Sequence, residues 1–178
     1  MRYRPFCAGD PVPAAAGRLH LRARGSRRPV VDAVIRAALP AAYNPYRDGV
    51  QIVVRDPVSP ETAVLDLTRG SAVPGGAPGS GCDPRDGWRP GGAVYRYRNF
   101  SDALPPACVS GSAGGLARMR IDRGRNRIAF RTRHAMTLPG GPLAATVAFG
   151  AGGDAVIGGR CVSADATCTD TGRALRCR

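Results

Sequence analysis

The chain has 178 residues and a formal net charge of +13, so one domain of ordinary size with a buried core is expected. Its 24 glycines and 16 prolines interrupt the sequence too often for long helices and favour many short strands. All 26 basic residues are arginine, which excludes a Walker phosphate loop and Schiff-base chemistry, because both need a lysine.

Segments in which apolar and polar side chains alternate recur along the chain, as in strands with one buried face. Residues 1–16 lack this pattern and are expected to form an N-terminal extension, which leaves residues 17–178 as a single domain. Strands are predicted at residues 18–24, 50–55, 62–67, 94–98, 117–121, 127–131, 135–138, 143–149, 155–161 and 174–177. About nine or ten short strands predict an all-β fold, an antiparallel β-sandwich of the Ig-like or jelly-roll-like kind, with disulfides.

Residues 30–39 fit either a helix or a strand. Val31, Val34 and Ile35 lie on one face of a helical wheel, whereas the β-branched content favours a strand. Because Pro29 precedes the segment and Pro40 follows it, a short helix is the prediction made here.

Residues 71–92 are dominated by Gly, Pro and Ser and show no periodicity, so they are expected to form a long surface loop. Trp88 is expected to anchor this loop to the core. Further along the chain, residues 122–127 form a polar link in which Gly124 and Asn126 can adopt positive φ. This link predicts a hairpin between the strands at 117–121 and 127–131.

The cysteines are even in number and show none of the CxxC spacing of zinc ribbons or redox sites. They are Cys7, Cys82, Cys108, Cys161, Cys168 and Cys177. Wide spacing and the presence of only two histidines disfavour a metal site, so neither a metal nor any other cofactor is predicted. Disulfides, and therefore an oxidising compartment, are the better interpretation.

Two disulfides are suggested by position along the chain. A bond from Cys82 to Cys108 would close a loop of about 26 residues, and one from Cys168 to Cys177 would span a hairpin turned at Gly172. The two remaining cysteines would then pair and tie the N-terminal extension to the last sheet. Six cysteines permit fifteen connectivities, and a free thiol at Cys7 stays an alternative.

Several landmarks follow one another along the chain: Asn44-Pro-Tyr-Arg-Asp-Gly-Val50, Asp86-Gly-Trp-Arg89, Tyr95-Arg-Tyr-Arg-Asn99, the paired basic strands and a cysteine-containing end. Their order resembles that of uncharacterised secreted repeat-type β-sandwich domains of environmental, deltaproteobacteria-like bacteria. The resemblance covers roughly residues 18–161. It implies a β-sandwich exported to the cell surface or medium, and it carries over no catalytic residue.

Catalytic constellations are poorly represented in the sequence. His20 and His134 are expected to be solvated at strand positions, and no Gly-x-Ser-x-Gly elbow is present. Glu61 has no second glutamate with which to form a glycosidase pair. Asp83 and Asp86 fit a turn or a weak calcium site, and a hydrolase using aspartates of the 71–92 loop is a further alternative. The chain is therefore expected not to be an enzyme.

One functional signal is a stripe of arginines at the outward positions of the predicted strands. Its members are Arg22, Arg24, Arg96, Arg98, Arg118, Arg120, Arg127, Arg131 and Arg133. If the strands are neighbours, their guanidinium groups form one basic sheet face that suits sulfate, phosphate and carboxylate. A solvated face that prevents aggregation is the alternative interpretation. Tyr95 and Tyr97 fall on the other face, which disfavours single-stranded nucleic acid.

Two functions follow from these observations. The first is a non-enzymatic structural or adhesion module of an extracellular or cell-surface protein, and the alternative is a module that binds an anionic polymer such as acidic glycan, lipopolysaccharide or extracellular DNA. No specific nucleic acid and no transmembrane segment are expected. The N-terminus lacks the apolar run of a signal peptide. A secreted, cell-surface or periplasmic chain would thus be a piece of a longer precursor with other domains, or begin at a misplaced start.

Overall fold

The computed structural model of the protein describes residues 12–13, 19–24, 30–36, 39, 43–55, 62–67, 81–89, 91–105, 107–133, 143–149, 161–170 and 174–177. The strands within these ranges are β1 (Val12–Pro13), β2 (Leu19–Arg24), β3 (Val30–Arg36), β4 (Val50–Arg55), β5 (Thr62–Leu67), β6 (Gly87–Arg89), β7 (Val94–Arg98), β8 (Ala103–Leu104), β9 (Val109–Ser110), β10 (Leu116–Asp122), β11 (Arg127–Thr132), β12 (Leu143–Ala148), β13 (Cys161–Ala166), β14 (Cys168–Asp170) and β15 (Ala174–Cys177). One helical turn, α1 (Pro45–Asp48), accompanies them. The described part of the chain is therefore all-β apart from this turn.

The strands form two larger sheets and one two-stranded sheet. The larger sheets have the orders β1-β13-β12-β4-β5 and β14-β15-β2-β3-β11-β10-β7-β6, and the third pairs β8 with β9. Neighbouring strands are antiparallel except for β1, whose two residues run parallel to β13. Ten of the described strands have four residues or more, and the others are two- or three-residue additions that the alternation pattern is too short to reveal.

The prediction of a helix over residues 30–39 is wrong, because Val30–Arg36 is strand β3. This strand lies between β2 and β11 within the eight-stranded sheet. Its alternation is hard to see in the sequence because the partly exposed Val34 occupies an outward position, whereas Ile35 on the other side is fully buried. The β-branched content of the segment was the better indicator.

The predicted loop over residues 71–92 is wrong at Gly87–Arg89, which forms strand β6 and pairs with β7. Trp88 in this strand is 1% exposed, and its ring meets that of Tyr97 edge to face at a centroid distance of 5.4 Å. The prediction that Trp88 anchors this segment to the core is confirmed. Residues 135–138 lie outside the described residues, as do residues 155–160 of the strand predicted at 155–161, whose last residue belongs to β13.

Strands β7, β10 and β11 show the alternation that the sequence predicted. Their inward side chains are buried and apolar, and they include Tyr95, Tyr97, Met119, Ile121, Ile128 and Phe130. Arginines occupy most of the intervening outward positions. Burying one face while charging the other holds the register, because a shift of one residue would reverse every side chain.

The hairpin of β10 and β11 is confirmed. In its turn Asn126 has a φ of 47°, whereas Gly124 does not use positive φ. Asp122, the last residue of β10, accepts a hydrogen bond from the backbone N–H of Arg125 at 3.1 Å. The turn is thus held by the side chain of one strand end and by a residue type that tolerates the left-handed region.

Two of the predicted disulfides are present. Cys82 is bonded to Cys108 with a Cα–Cα distance of 5.0 Å, and Cys168 is bonded to Cys177 across the registered pair of β14 and β15. The proposed partner bond between Cys7 and Cys161 lies outside the described residues, because Cys7 is not among them and only the backbone of Cys161 is.

Among the described residues, no helix has both the length and the apolar character needed to cross a membrane.

A short segment before β4 packs against the end of β12. The rings of Tyr43 and Phe149 meet edge to face at 5.0 Å, and the Tyr43 hydroxyl donates to the carbonyl of Gly49 at 2.8 Å. Asp48 Oδ2 accepts from the backbone N–H of Asn44 at 2.9 Å and closes the turn α1. Burial raises the pKa of Tyr43 well above its usual value.

Candidate functional site

Strand register brings arginines from four strands onto one surface. Arg98 on β7, Arg118 on β10 and Arg131 on β11 are direct partners and form one row across the sheet. A second row consists of Arg89 on β6, Arg96 on β7 and Arg120 on β10. These six residues, all exposed, are here called the arginine face. Neighbouring strands lie about 4.8 Å apart, so each row holds three cations within roughly 10 Å.

A groove of about 330 Å³ is open to solvent on this face. Arginines from the two rows and Arg127 surround it. Its floor includes Ala129 on β11 and Val34 on β3, which are register partners. Most of the outward residues around this pair are long and charged. The concavity therefore arises from two small apolar side chains inside a field of arginines.

The charges of the arginine face are only partly balanced within the protein. Arg120 donates to Asp122 Oδ2 at 3.1 Å, and 44% of its side chain is exposed, so this pair is a surface ion pair. Arg131 lies opposite Asp32 in the register of β11 and β3. Among the residues that the structure describes, no carboxylate is within ion-pair distance of Arg96, Arg98 or Arg118. The net field over the groove is therefore positive.

Two predicted members of the stripe, Arg22 and Arg24, lie on β2, two strands from β11. In the register of β2 and β3, Arg22 is opposite Asp32, and Arg24 is opposite Val30. Their side chains are outside the described residues. The backbone row of Arg98, Arg118 and Arg131 therefore continues through Asp32 on β3 to Arg22 on β2. An acidic residue thus stands between the arginine face and the arginine positions of β2.

Arg133, the last member of the predicted stripe, contacts the main chain. It follows β11, and its guanidinium donates to the main-chain carbonyls of Asn99 and Phe100. Its backbone N–H also donates to the carbonyl of Gly115 at 2.7 Å. The side chain therefore ties the end of β11 to the segment after β7, and it does not line the groove.

The aspartates considered as a calcium or catalytic pair are engaged by donors from the protein. The fully buried carboxylate of Asp86 accepts from the backbone N–H groups of Asp83 and Phe100 and from the Ser101 hydroxyl. Asp83 pairs with Arg85 at 2.9 Å, and these hydrogen bonds lower the pKa of Asp83 to about 2. The arrangement is that of a turn fastened to its neighbour.

A buried polar cluster surrounds Asp86. Asn99 donates to the Tyr97 hydroxyl at 3.0 Å and to the carbonyl of Ala103 at 2.6 Å, and it accepts from the N–H of Asp102 at 2.7 Å. Burial raises the pKa of Tyr97 to about 12, although the hydrogen bond from Asn99 acts in the opposite direction. Of these residues, Tyr97 also lines the groove, and its ring is buried on the other side of the sheet. We call Asp86, Asn99, Ser101, Asp102 and Arg133 the Asp86 cluster.

Aromatic rings are directed away from the arginine face. Tyr95 and Tyr97 occupy the alternate positions of β7 and are buried on the other side of the sheet. Phe100, which is 39% exposed, lies beyond the end of β7 with the guanidinium of Arg85 at 4.2 Å from its ring centroid. In the described part of the chain, the exposed side chains that line the groove are therefore guanidinium and aliphatic groups. Tyr97 and Phe130 also line it, but both are buried, so neither offers an exposed ring for base stacking.

Several residues of this surface were not predicted. Arg89 was hidden in the presumed loop, and Arg36 was hidden in the presumed helix, although Arg36 is the register partner of Arg127. Ala129 lies midway between Arg127 and Arg131, so the alternation of β11 already indicated that it faces outward. Its pairing with Val34 required the register of two distant strands.

The side chains of the two histidines lie outside the part of the chain that the structure describes. His20 is the register partner of Val34 on the β2 side, and its side chain is outside the described residues, as is the whole of His134.

Comparison of the chain with models of protein families, with curated proteins and with solved structures yields no match.

Proposed function

We propose that the protein is a non-enzymatic extracellular or cell-surface module that binds an anionic polysaccharide through the arginine face. The observation that carries this proposal is the groove, in which Arg96, Arg98 and Arg118 stand beside one another with no carboxylate partner among the described residues. Like charges held this close repel one another, and a bound polyanion would relieve that repulsion. The planar guanidinium fork suits sulfate and carboxylate groups.

The wider setting of this proposal is a secreted β-sandwich in which the two larger sheets pack face to face. The two disulfides support an oxidising, non-cytoplasmic compartment. A structural or adhesion module of a longer surface protein would gain its attachment to the surrounding matrix from such a face. The proposal thus joins the two functions that the sequence suggested.

Acidic polysaccharide is favoured over nucleic acid by the chemistry of the surface. Proteins that bind single strands without sequence preference combine basic grooves with exposed aromatic rings. The tyrosines of β7 are buried beneath the arginine face and cannot supply such rings. An acidic glycan needs only cationic partners and aliphatic surface, both of which the groove offers.

The test is the salt dependence of binding to immobilised heparin. Replacing Arg98 and Arg118 together by alanine should lower the affinity roughly tenfold at low salt and flatten its salt dependence, because two contacts to the polyanion are lost. The matched control is Arg85→Ala with Arg125→Ala, which removes the same formal charge outside the groove. Equal losses in the two double variants would reduce the effect to net charge and would contradict the proposal.

A further inference from the structure

The arginine face contains a gap in its charge at Ala129 and Val34. Along β11, Ala129 lies between Arg127 and Arg131, and across the sheet it lies between Arg120 and Val34. Both residues of the gap are partly exposed at the floor of the groove. From strand spacing, the gap measures roughly 10 Å across the strands and 7 Å along them.

We infer that this gap is a specificity site which receives the aliphatic face of a sugar ring, while the surrounding arginines bind the anionic groups that the ring carries. The inference rests on the proposed function and adds which part of the ligand lies where. A ring laid over Ala129 and Val34 removes apolar surface from water on both partners. Its sulfate or carboxylate groups then point outward to Arg120 on one side and to Arg127 and Arg131 at the two ends.

The dimensions of the gap favour this occupant. Two small side chains provide an apolar floor about as large as one sugar ring, whereas an acyl chain would need a longer apolar surface. A polyanion without rings, such as inorganic polyphosphate, would use the arginines and leave the floor uncovered. The shape of the groove and the net charge of the face therefore make separate contributions to the affinity for a ligand, and each contribution can be tested by itself.

The substitution Ala129→Arg separates them, because it adds a positive charge while filling the groove. If the gap receives a ring, the affinity for a heparin-derived hexasaccharide falls at least tenfold, whereas the affinity for polyphosphate is unchanged or rises. The control is Val109→Arg, which adds the same charge at a residue that is 61% exposed and outside the groove. This control is expected to change the affinity for either probe by less than about twofold, since the added charge is distant and screened.

Unchanged or tighter hexasaccharide binding by Ala129→Arg would overturn the inference, and so would an equal loss of affinity for both probes. Either result leaves the proposed function standing, because that depends on Arg98 and Arg118. Circular dichroism and reversible unfolding check that the variant is folded. Ala129→Leu provides a second variant that fills the groove without adding charge, and the same loss of hexasaccharide binding is expected from it.

Discussion

The arginine face and the Asp86 cluster adjoin where β7 ends, yet they place polar groups in opposite ways. On the face, charged side chains extend into water above a layer of buried apolar residues. In the cluster, polar side chains are buried or partly buried, and they bond backbone groups both nearby and more than ten residues away. Substitutions that remove charge from the face should therefore change the stability of the fold little, whereas the hydrogen bonds of the cluster fix the positions of the segments beside it.

The largest effect is expected from Asp86→Ala. The change removes the acceptor for two backbone N–H groups and for the Ser101 hydroxyl in a fully buried site. Leaving such donors unsatisfied should lower the free energy of unfolding by about 4 kcal/mol, measured by urea denaturation. Asp83→Ala is the control, because that carboxylate is partly exposed, its ion-pair partner Arg85 is exposed, and its loss should matter much less. Similar losses from both variants would contradict the assigned role of the cluster.

Removal of the Cys82–Cys108 disulfide should have the next largest effect. The bond closes a separation of 26 residues, and the chain-entropy relation gives about 3.5 kcal/mol for it. The Cys168–Cys177 bond closes only 9 residues and should contribute about 2.6 kcal/mol. Thermal unfolding of the two double Cys→Ala variants measures both values. A larger loss of stability on removing the Cys168–Cys177 bond would contradict this order and would show that local packing, and not loop closure, determines the contribution of each disulfide.

Alkaline pH should weaken the region around the cluster through Tyr97. Its pKa is about 12 in the folded protein and 10.0 in the unfolded chain. A raised pKa means that this contribution to stability is complete below pH 10 and is lost as the pH rises toward 12, by about 2–3 kcal/mol in all. Urea unfolding at successive pH values measures the decline. Tyr97→Phe should show a shallower decline over the same window, and an unchanged slope would exclude Tyr97 as its source.

A smaller effect is expected at the hairpin that presents the face. Asn126 has a φ of 47°, where alanine is strained and glycine is not. Asn126→Ala should therefore lower the free energy of unfolding by about 1 kcal/mol. Asn126→Gly should retain more of the stability, and a greater loss for glycine than for alanine would contradict this account of the turn.

The smallest effect on stability is expected on the arginine face itself. Arg98→Ala and Arg118→Ala remove exposed charges with no carboxylate partner among the described residues. Each should change the free energy of unfolding by less than about 0.5 kcal/mol in urea denaturation. A substantial loss would mean that these side chains support the fold and are not reserved for a ligand.

The face was largely predictable from the sequence, and the cluster was not. Alternation along β7, β10 and β11 indicated which arginines point outward, because a strand places successive side chains on opposite faces. The pairing of Ala129 with Val34 depends on register between segments nearly a hundred residues apart, which local patterns do not encode. The hydrogen bonds of Asp86 and Arg133 likewise join distant backbone groups. Their residue types alone were equally compatible with a metal ligand or an exposed cation.

The most direct test of the central claim is an NMR titration that observes the Nε–Hε groups of the arginines as a heparin-derived hexasaccharide is added. If the arginine face is the binding surface, the signals of Arg96, Arg98 and Arg118 shift together and saturate, while those of Arg85 and Arg125 hardly move. Shifts spread evenly over all the arginines, or confined to those outside the groove, would contradict the account.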